Sequence, residues 1–283
     1  MSEEMTAREL GVWYSRNLAI NLSANAERHR HCSDEAQRAK RAALRIDAAA
    51  MAIHAFFPQG THCVALCTMV HRLVQVVATA TLLRDNGGPC LVTALHALCD
   101  RTGDYNSHYF DHGLMALSMN NERIGLAGKR WSCYDKHDVA LLQLDEEETE
   151  KLGGALDIAH AMAPAKLWIA YGFPQSSNKQ KHRLHPFSLD CQRIVLYDST
   201  FFPSASSVDP EASFSLHYDP KKAFNAGTRK EQHARSPKGC SGGLVAGYHP
   251  QFGCWIPEGI ITEWHESSSA LVATSIHSVF PAQ

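Results

Sequence analysis

Neither sign of charge is in excess in this sequence. Its 283 residues include 27 Lys and Arg against 29 Asp and Glu, which leaves a formal net charge of −2 at pH 7. A nucleic-acid-binding protein needs a basic surface to offset phosphate charge, so this balance argues against nucleic acid as a partner. With 45% apolar residues, a chain of this length buries roughly three quarters of its unfolded surface, and a stable core is expected.

Long hydrophobic runs and the features of a secretion signal are also missing. The first residues, MSEEMTAREL, carry acids where a signal peptide has basic residues, and no apolar core region follows them. No apolar run reaches the roughly 20 residues of a membrane-spanning helix. We therefore expect a cytoplasmic protein that has no membrane partner.

The nine cysteines include no Cys-x-x-Cys pair, which is a common spacing in zinc and redox sites. In a reducing compartment we expect free thiols, many of them in the core. A zinc site at His29, His31 and Cys32 would need a fourth ligand, and a polar loop between helices is the interpretation that we favour. We expect no metal and no cofactor.

Helical signals are concentrated in residues 1–57. Thr6 and Glu9 have the spacing of a capping box, and a second segment, SDEAQRAKRAALRIDAAAMAIHAFF, ends before the helix breakers Pro58 and Gly60. Apolar residues recur at helical spacing in the first segment, at Leu10, Trp13, Tyr14 and Leu18. We predict a helical extension of two helices. A cap on the main body is favoured, and docking of a protein partner is the alternative.

Beyond Gly60 the pattern changes to short β-rich runs separated by turn residues, with few long helical periods between them. Asp85–Gly88, with the sequence DNGG, predicts a hairpin between two of these runs. Many strands without alternating helices indicate an all-β barrel or sandwich. The length suits two small β-barrels, at residues 58–155 and 156–283.

Three short motifs contain the residue types that covalent hydrolysis by serine requires: a hydroxyl, a histidine that takes its proton, and a carboxylate that orients the histidine. CLVTALHALCD places His96 just after an apolar strand, and YDKHDVALLQL places Asp138 at the head of another. KGCSGGLVAG places Ser241 in a glycine-rich turn before a third strand. The order along the chain is His, Asp, Ser.

With these residues the sequence resembles the chymotrypsin-like (trypsin-like) serine peptidase family, in its bacterial intracellular type. VTALH is similar to the family's V-T-A-A-H, DVALLQL to D-I-A-L-L-x-L, and GCSGG to G-D-S-G-G. EGIITEW resembles the G-I-V-S-W strand beside the substrate cleft, and YGFP resembles the G-Y-P turn of bacterial members. The resemblance covers residues 62–280. It implies a mainly β fold of two six-stranded antiparallel β-barrels of chymotrypsin type, with the helical extension added at the N-terminus.

The resemblance assigns roles to individual residues. It implies Ser241 as nucleophile, His96 as general base and acid, and Asp138 as the orienting carboxylate. The backbone N–H groups of Gly239 and Ser241 match the oxyanion hole, where glycine lets the backbone turn its N–H toward the developing charge. Cys240 lies one position before the nucleophile. Extracellular members have Asp there, paired with an N-terminus freed by cleavage, so the resemblance implies no such zymogen switch here.

The substrate pocket is predicted from the same resemblance. The residue six positions before the nucleophile is Arg235, with Ser236 in the same loop, and a cation at the pocket floor repels a basic substrate side chain. The GIITEW strand, with Thr262, Glu263 and Trp264, is expected to pair with the substrate backbone. In an alternative that stays open, Glu263 also reaches the pocket and neutralises the charge of Arg235. We expect no preference for Lys or Arg before the cut.

The leading hypothesis is a serine endopeptidase that cleaves protein or peptide substrates through an acyl-enzyme. One alternative is a module that holds a peptide strand in the same cleft without cutting it. Another is a regulatory subunit that acts mainly through its helical extension.

Overall fold

The computed structural model describes residues 62–99, 113–158, 165, 167–179, 187–199, 201–218, 220–221, 223–225, 230–233, 235–249 and 254–281. The predicted helical extension at 1–57 and the cluster of His29, His31 and Cys32 lie outside this part of the chain. In the part that is described, no helix combines the length and the apolar character needed to span a membrane.

The first sheet contains eight strands and is antiparallel apart from β8, which pairs with β2 in parallel. The other strands follow the order β5-β4-β1-β2-β3-β7-β6. Their bounds are β1 Cys63–Val70, β2 Leu73–Asp85, β3 Gly88–Ala94, β4 Met115–Leu117, β5 Arg123–Gly125, β6 Ser132–Tyr134, β7 Val139–Gln143 and β8 Leu156–Asp157.

The predicted hairpin at Asp85–Gly88 joins β2 to β3. Asp85 and Gly88 are register partners, which leaves Asn86 and Gly87 as a two-residue loop. The turn between β1 and β2 is also of two residues and has no glycine: His71 and Arg72 adopt φ values of 50° and 64°. The sequence offered no turn signal at that point.

The second sheet follows the order β11-β16-β15-β14-β9-β10-β12-β13, and β11 also pairs with β10. That additional pairing closes six strands into a ring, from which β12 and β13 extend. The bounds are β9 Trp168–Gly172, β10 Gln192–Asp198, β11 Ser213–His217, β12 Ala223–Asn225, β13 Lys230–Gln232, β14 Leu244–His249, β15 Cys254–His265 and β16 Ala270–Ser275.

The mainly β fold predicted from the sequence is confirmed. The six-stranded ring in the second sheet has the predicted strand number. In the described residues the first sheet differs from a six-stranded barrel, because it has eight strands and its two edge strands, β5 and β6, do not pair.

Two helices occur in the described part of the chain, α1 Glu146–Leu152 and α2 Ile276–Val279. The Asp145 side chain accepts from the Glu148 N–H at 2.7 Å, and the Glu148 side chain accepts from the Asp145 N–H, which completes a capping box. Helix α1 was not predicted from the sequence, although Asp145 and Glu148 have the spacing of this motif.

The largest core cluster contains residues from both sheets. It includes Ala65 of β1 and Val92 of β3 together with Ile169, Leu244 and Ile260 from the second sheet, all of them buried. Two further clusters belong mainly to the first and the second sheet, respectively. The two sheets therefore share one apolar core, and the candidate site forms where their loops meet.

Candidate active site

His96 and Asp138 are brought together by the pairing of two neighbouring strands. β3 ends at Ala94 and β7 begins at Val139, and these residues are register partners in the antiparallel pair. His96 lies in the 3-10 turn that follows β3, and Asp138 ends the 3-10 turn that precedes β7. Asp138 has φ 50° and ψ 43°, a left-handed conformation in which Asp is enriched. Both side chains therefore lie beside each other, at the end of the sheet where β3 ends and β7 begins.

Hydrogen bonds connect the three predicted triad residues. Asp138 Oδ1 accepts from the His96 backbone N–H at 2.8 Å, and Asp138 Oδ2 lies 2.6 Å from His96 Nδ1. His96 Nε2 lies 3.1 Å from Ser241 Oγ. When the Nδ1–H donates to the carboxylate, Nε2 of the neutral ring carries the lone pair that accepts the Ser241 hydroxyl.

The environment of His96 favours its protonated form. Burial lowers the pKa of His96, but the hydrogen bond to Asp138, the charge of Asp138 and the charge of Glu263 together raise it above the ordinary histidine value. The Asp138 side chain is 14% exposed and the His96 side chain 51% exposed. The imidazolium is thus stabilised by a largely buried carboxylate, while the ring itself is open to solvent on one side.

The turn at residues 237–243, which contains the predicted nucleophile Ser241 and is called the nucleophile turn below, is held against both sheets. The Gly242 N–H donates to the Ile261 carbonyl at 2.7 Å, and the Ser241 carbonyl accepts from the Thr79 N–H of β2 at 2.9 Å. Gly242 has φ +87°, and a Cβ there would lie 2.0 Å from the Thr79 carbonyl oxygen. Only glycine permits this approach, so Gly242 lets the turn reach the first sheet and His96.

The predicted oxyanion-hole donors, the N–H groups of Gly239 and Ser241, each belong to a peptide whose carbonyl is hydrogen-bonded. The Lys238 carbonyl accepts from the Gln175 N–H at 2.9 Å, and the Cys240 carbonyl accepts from the Gly243 N–H at 2.8 Å. The N–H and C=O of a trans peptide point in opposite directions. Each donor is therefore directed away from its bonded carbonyl, and no hydrogen bond from either N–H is found among the described residues.

Cys240 is buried beneath this turn, with 5% of its surface exposed. A Cβ at Gly172 would lie 2.7 Å from Cys240 Cβ, so the absence of a side chain at Gly172 makes room for the thiol. Burial, with a smaller effect from the neighbouring Cys63, raises the pKa of Cys240 far above the ordinary thiol value. The thiolate is the reactive form of cysteine, so Cys240 is a poor nucleophile here.

Arg235 and Ser236 are exposed, and the Arg235 carbonyl accepts a hydrogen bond from Tyr218 Oη at 2.8 Å. No ion pair of Arg235 is found among the described residues. Thr262 is 1% exposed, and its hydroxyl donates to the Val272 carbonyl at 3.3 Å. The roles of Arg235, Ser236 and Thr262 in substrate binding stay predictions.

Glu263 has partners other than Arg235. Its Oε2 accepts from Ser206 Oγ at 2.6 Å and lies 2.8 Å from His265 Nε2, while its Oε1 accepts from the Ser207 N–H at 2.9 Å. Burial raises the pKa of Glu263, but the hydrogen bonds from Ser206, Ser207 and His265 outweigh it and lower the pKa below the ordinary value. Glu263 is therefore an anion that fastens residues 206–207 to β15.

Trp264, the last of the predicted substrate-binding residues, is partly buried and packs edge-on against Tyr218. Their ring centroids lie 6.2 Å apart, with an interplanar angle of 81°. This contact places the indole beside the segment that contains Arg235, because Tyr218 also bonds the Arg235 carbonyl.

Sequence reasoning missed the threonines that face the nucleophile turn from the first sheet. Thr79 and Thr81 of β2 donate through their hydroxyls to the carbonyls of Gly239 and Gly242, at 2.8 and 3.0 Å. The one available signal was the TAT run of residues 79–81, whose period of two places both hydroxyls on one face of a strand. The part of the chain seen in the structure contains no cluster of three or more His, Cys, Asp or Glu residues arranged to hold a metal ion.

No protein-family model matches the chain, and no curated protein matches its sequence. Among solved structures, the serine protease domain of the Sesbania mosaic virus polyprotein is similar over 80% of this chain and 94% of that chain, with 12% identity and a TM-score of 0.46. A thermostable serine protease from an extremophilic microorganism is similar over 76% of this chain and 91% of its own, with 13% identity and a TM-score of 0.45.

A third similar structure concerns the coupled folding and binding of the intrinsically disordered Sesbania mosaic virus VPg protein. It covers 78% of this chain and 88% of its own, with 13% identity and a TM-score of 0.45. Scores at this level carry no conclusion about the activity of this chain.

Proposed function

We propose that the protein is a serine endopeptidase that cleaves protein or peptide substrates through an acyl-enzyme. The observation that carries this proposal is the hydrogen-bonded series from Asp138 through His96 to Ser241, with spacings of 2.6 and 3.1 Å. Three residues from two sheets meet in the geometry that serine-based acyl transfer requires. The proposal also includes the oxyanion-hole role of the Gly239 and Ser241 N–H groups.

In the first half of the proposed reaction, Ser241 Oγ attacks the substrate carbonyl carbon while its proton moves to His96 Nε2. The carbonyl π electrons move to oxygen, and the N–H groups of Gly239 and Ser241 stabilise the oxyanion. When the carbonyl re-forms, the C–N bond breaks and the amine leaves with the proton from His96 Nε2. The product of this half is an ester on Ser241.

In the second half, a water molecule attacks the ester carbonyl and gives a proton to His96. Collapse of the second oxyanion breaks the bond to Ser241 Oγ, which regains the proton from His96. Asp138 holds the imidazole in the tautomer that both halves need and stabilises its cationic form.

The proposed site for the substrate backbone is the segment of β15 beyond Ile261. Within the described residues β14 pairs with β15 as far as Ile260, whereas β16 pairs with β15 as far as His265. The segment 262–265 therefore has a partner strand on one side only. An open strand edge beside a nucleophile suits an extended peptide that adds to the sheet.

Labelling with a fluorophosphonate probe, followed by mass spectrometry of the modified peptide, tests the proposed function. We expect the wild type to be labelled at Ser241 and Ser241→Ala to remain unlabelled. Cys240→Ala, changed at the adjacent position, is the matched control and is expected to keep measurable labelling. In peptide-cleavage assays, loss of Ser241 is expected to cost on the order of 10⁴ to 10⁶ in rate.

Two results would contradict the proposal. A wild-type protein that folds but takes no label would favour the peptide-binding or regulatory alternative. Labelling that survives Ser241→Ala and disappears in Cys240→Ala would assign the nucleophile to Cys240.

A further inference from the structure

Thr79, a buried residue of β2, uses all of its hydrogen-bonding groups around the nucleophile turn. Its N–H donates to the Ser241 carbonyl at 2.9 Å, and its carbonyl accepts from Thr93 Oγ1 at 2.7 Å. Its hydroxyl donates to the Gly239 carbonyl at 2.8 Å and accepts from the Phe173 N–H at 2.9 Å. Thr79 has 0% of its surface exposed, so water does not replace these bonds.

The hydroxyl of Thr79 therefore connects three separate segments: β2, the nucleophile turn, and the loop that follows β9. The same loop holds the nucleophile turn a second time, because the Gln175 N–H donates to the Lys238 carbonyl. A Cβ at Gly239 would lie 2.9 Å from the Phe173 carbonyl oxygen, which shows how closely the segments pack.

The peptide that Thr79 holds lies between the two proposed oxyanion-hole donors. The carbonyl of Gly239 bonds to Thr79, and the N–H of the same peptide, on Cys240, donates to the Pro237 carbonyl at 2.7 Å. This peptide joins the two peptides that carry the donors, so its orientation fixes ψ of Gly239 and φ of Cys240, the torsions that set the directions of the Gly239 N–H and the Ser241 N–H relative to each other. Gly239 has φ +96°, a conformation that needs an external constraint since several others are open to glycine.

Charged groups do not provide this constraint in the described part of the chain. Cys240, the residue at the centre of the turn, has a thiol with no hydrogen bond there and a pKa raised mainly by burial. For the Gly239–Cys240 peptide itself, the bonds that remain are the one from the Cys240 N–H to the Pro237 carbonyl and the one from the Thr79 hydroxyl to the Gly239 carbonyl.

We propose that Thr79 is a positioning residue, whose hydroxyl orients the Gly239 peptide so that both oxyanion-hole N–H groups face the reacting carbonyl. This inference rests on the proposed function, since it concerns the same site. The orientation of the proposed oxyanion-hole donors then depends on a side chain of the first sheet.

Three variants separate a positioning role from a purely structural one. Thr79→Val keeps the shape and removes the hydroxyl, and Thr79→Ser keeps the hydroxyl. Thr149→Val is the matched control: Thr149 is also buried, and its hydroxyl donates to the Asp145 carbonyl at 2.7 Å, near α1. The measurements are the acylation rate constant and KM for p-nitrophenyl acetate, and the midpoint of thermal unfolding.

We expect Thr79→Val to lower the acylation rate constant about 10- to 100-fold, with KM changed less than about threefold. Outright removal of one oxyanion donor costs about 10²- to 10³-fold, and a misdirected donor costs less. Thr79→Ser is expected to stay within a few-fold of wild type. Thr149→Val is expected to lower the unfolding midpoint and leave acylation unchanged. If Thr79→Val does not fold, Thr79→Cys, with only a weak donor, takes its place with the same expectation.

The inference is overturned if Thr79→Val acylates at the wild-type rate, or if Thr79→Ser loses as much as Thr79→Val. A wild type that acylates no faster than Ser241→Ala would instead refute the proposed function. In that case amide hydrogen exchange of Phe173 and Cys240 decides whether Thr79 orders the turn. Faster exchange at both in Thr79→Val, and in neither with Thr149→Val, supports that ordering, and unchanged exchange refutes it.

Discussion

At the scale of single residues, two opposing effects determine the pKa of His96. Burial disfavours the imidazolium, whereas the hydrogen bond and charge of Asp138 and the charge of Glu263 favour it, and the net result is a raised pKa. Glu263 stays ionised to a lower pH than an ordinary Glu because three side chains and one backbone N–H bond its carboxylate. The pKa of His96, the proposed general base, is therefore raised by carboxylates from both sheets.

The raised pKa of His96 predicts the pH dependence of the reaction. The base must be neutral, so the rate falls as the pH drops through the pKa of His96. We expect the midpoint of this acid limb above the ordinary histidine value of about 6.5. Glu263→Gln removes one raising charge and is expected to move the midpoint down. The measurement is the pH profile of kcat/KM for both proteins.

Asp138→Asn is the companion variant. Asn cannot accept the His96 Nδ1–H as a carboxylate does and favours the wrong tautomer, so we expect a loss of about 10⁴-fold near neutral pH without unfolding. A wild-type rate that stays flat down to pH 5, or an Asn variant of normal activity, would argue against His96 and Asp138 as base and orienter.

At the scale of elements, the turn at residues 237–243 approaches the backbone of β2 most closely at Gly242. Gly242 and Gly154 have nearly the same φ, +87° and +85°, but a Cβ at Gly154 meets nothing within 4 Å, whereas one at Gly242 meets the Thr79 carbonyl oxygen. This pair separates the cost of a left-handed backbone from the cost of a clash.

We expect Gly242→Ala to destabilise the protein more than Gly154→Ala does. Both variants bear the conformational cost, about 1–2 kcal/mol, and only Gly242→Ala adds the strain of overpacking, typically about 1–3 kcal/mol. Urea unfolding of the two variants measures the difference. Equal free energies of unfolding would mean that β2 and the turn separate easily, contrary to their hydrogen bonding.

At the scale of the whole molecule, most thiols of the described residues are closed off by the packing of the two sheets. Cys63, Cys67, Cys90 and Cys240 are buried. Burial raises the pKa of Cys63 to about 11 and the pKa values of Cys67 and Cys90 to about 12. A buried thiol of high pKa reacts slowly with alkylating agents.

We therefore expect iodoacetamide at pH 8 to alkylate the exposed Cys133 of β6 first. The four buried thiols are expected to react only after unfolding in urea, and peptidase activity is expected to survive native alkylation. Mass spectrometry of tryptic peptides locates the modified residues. Rapid native alkylation of Cys240 would refute this packing.

Local signals were enough to predict much of this molecule. The short β-rich runs beyond Gly60 predicted strands, and Asp85–Gly88 predicted the hairpin between β2 and β3, since each feature depends on residues next to one another. His96, Asp138 and Ser241 were recognised from short motifs, and the structure brings the three side chains together. The helix α1 was missed even though its capping box is local.

Contacts between distant segments were decided only by the tertiary structure. Thr79 lies 160 positions before Gly239, whose carbonyl it bonds, and nothing in a TAT run identifies the partner of its hydroxyls. The same holds for Glu263, which bonds Ser206 and Ser207 instead of Arg235. A hydrogen bond needs two groups within about 3 Å, and when they are far apart in sequence their distance depends on how whole sheets pack, which no short stretch of residues encodes.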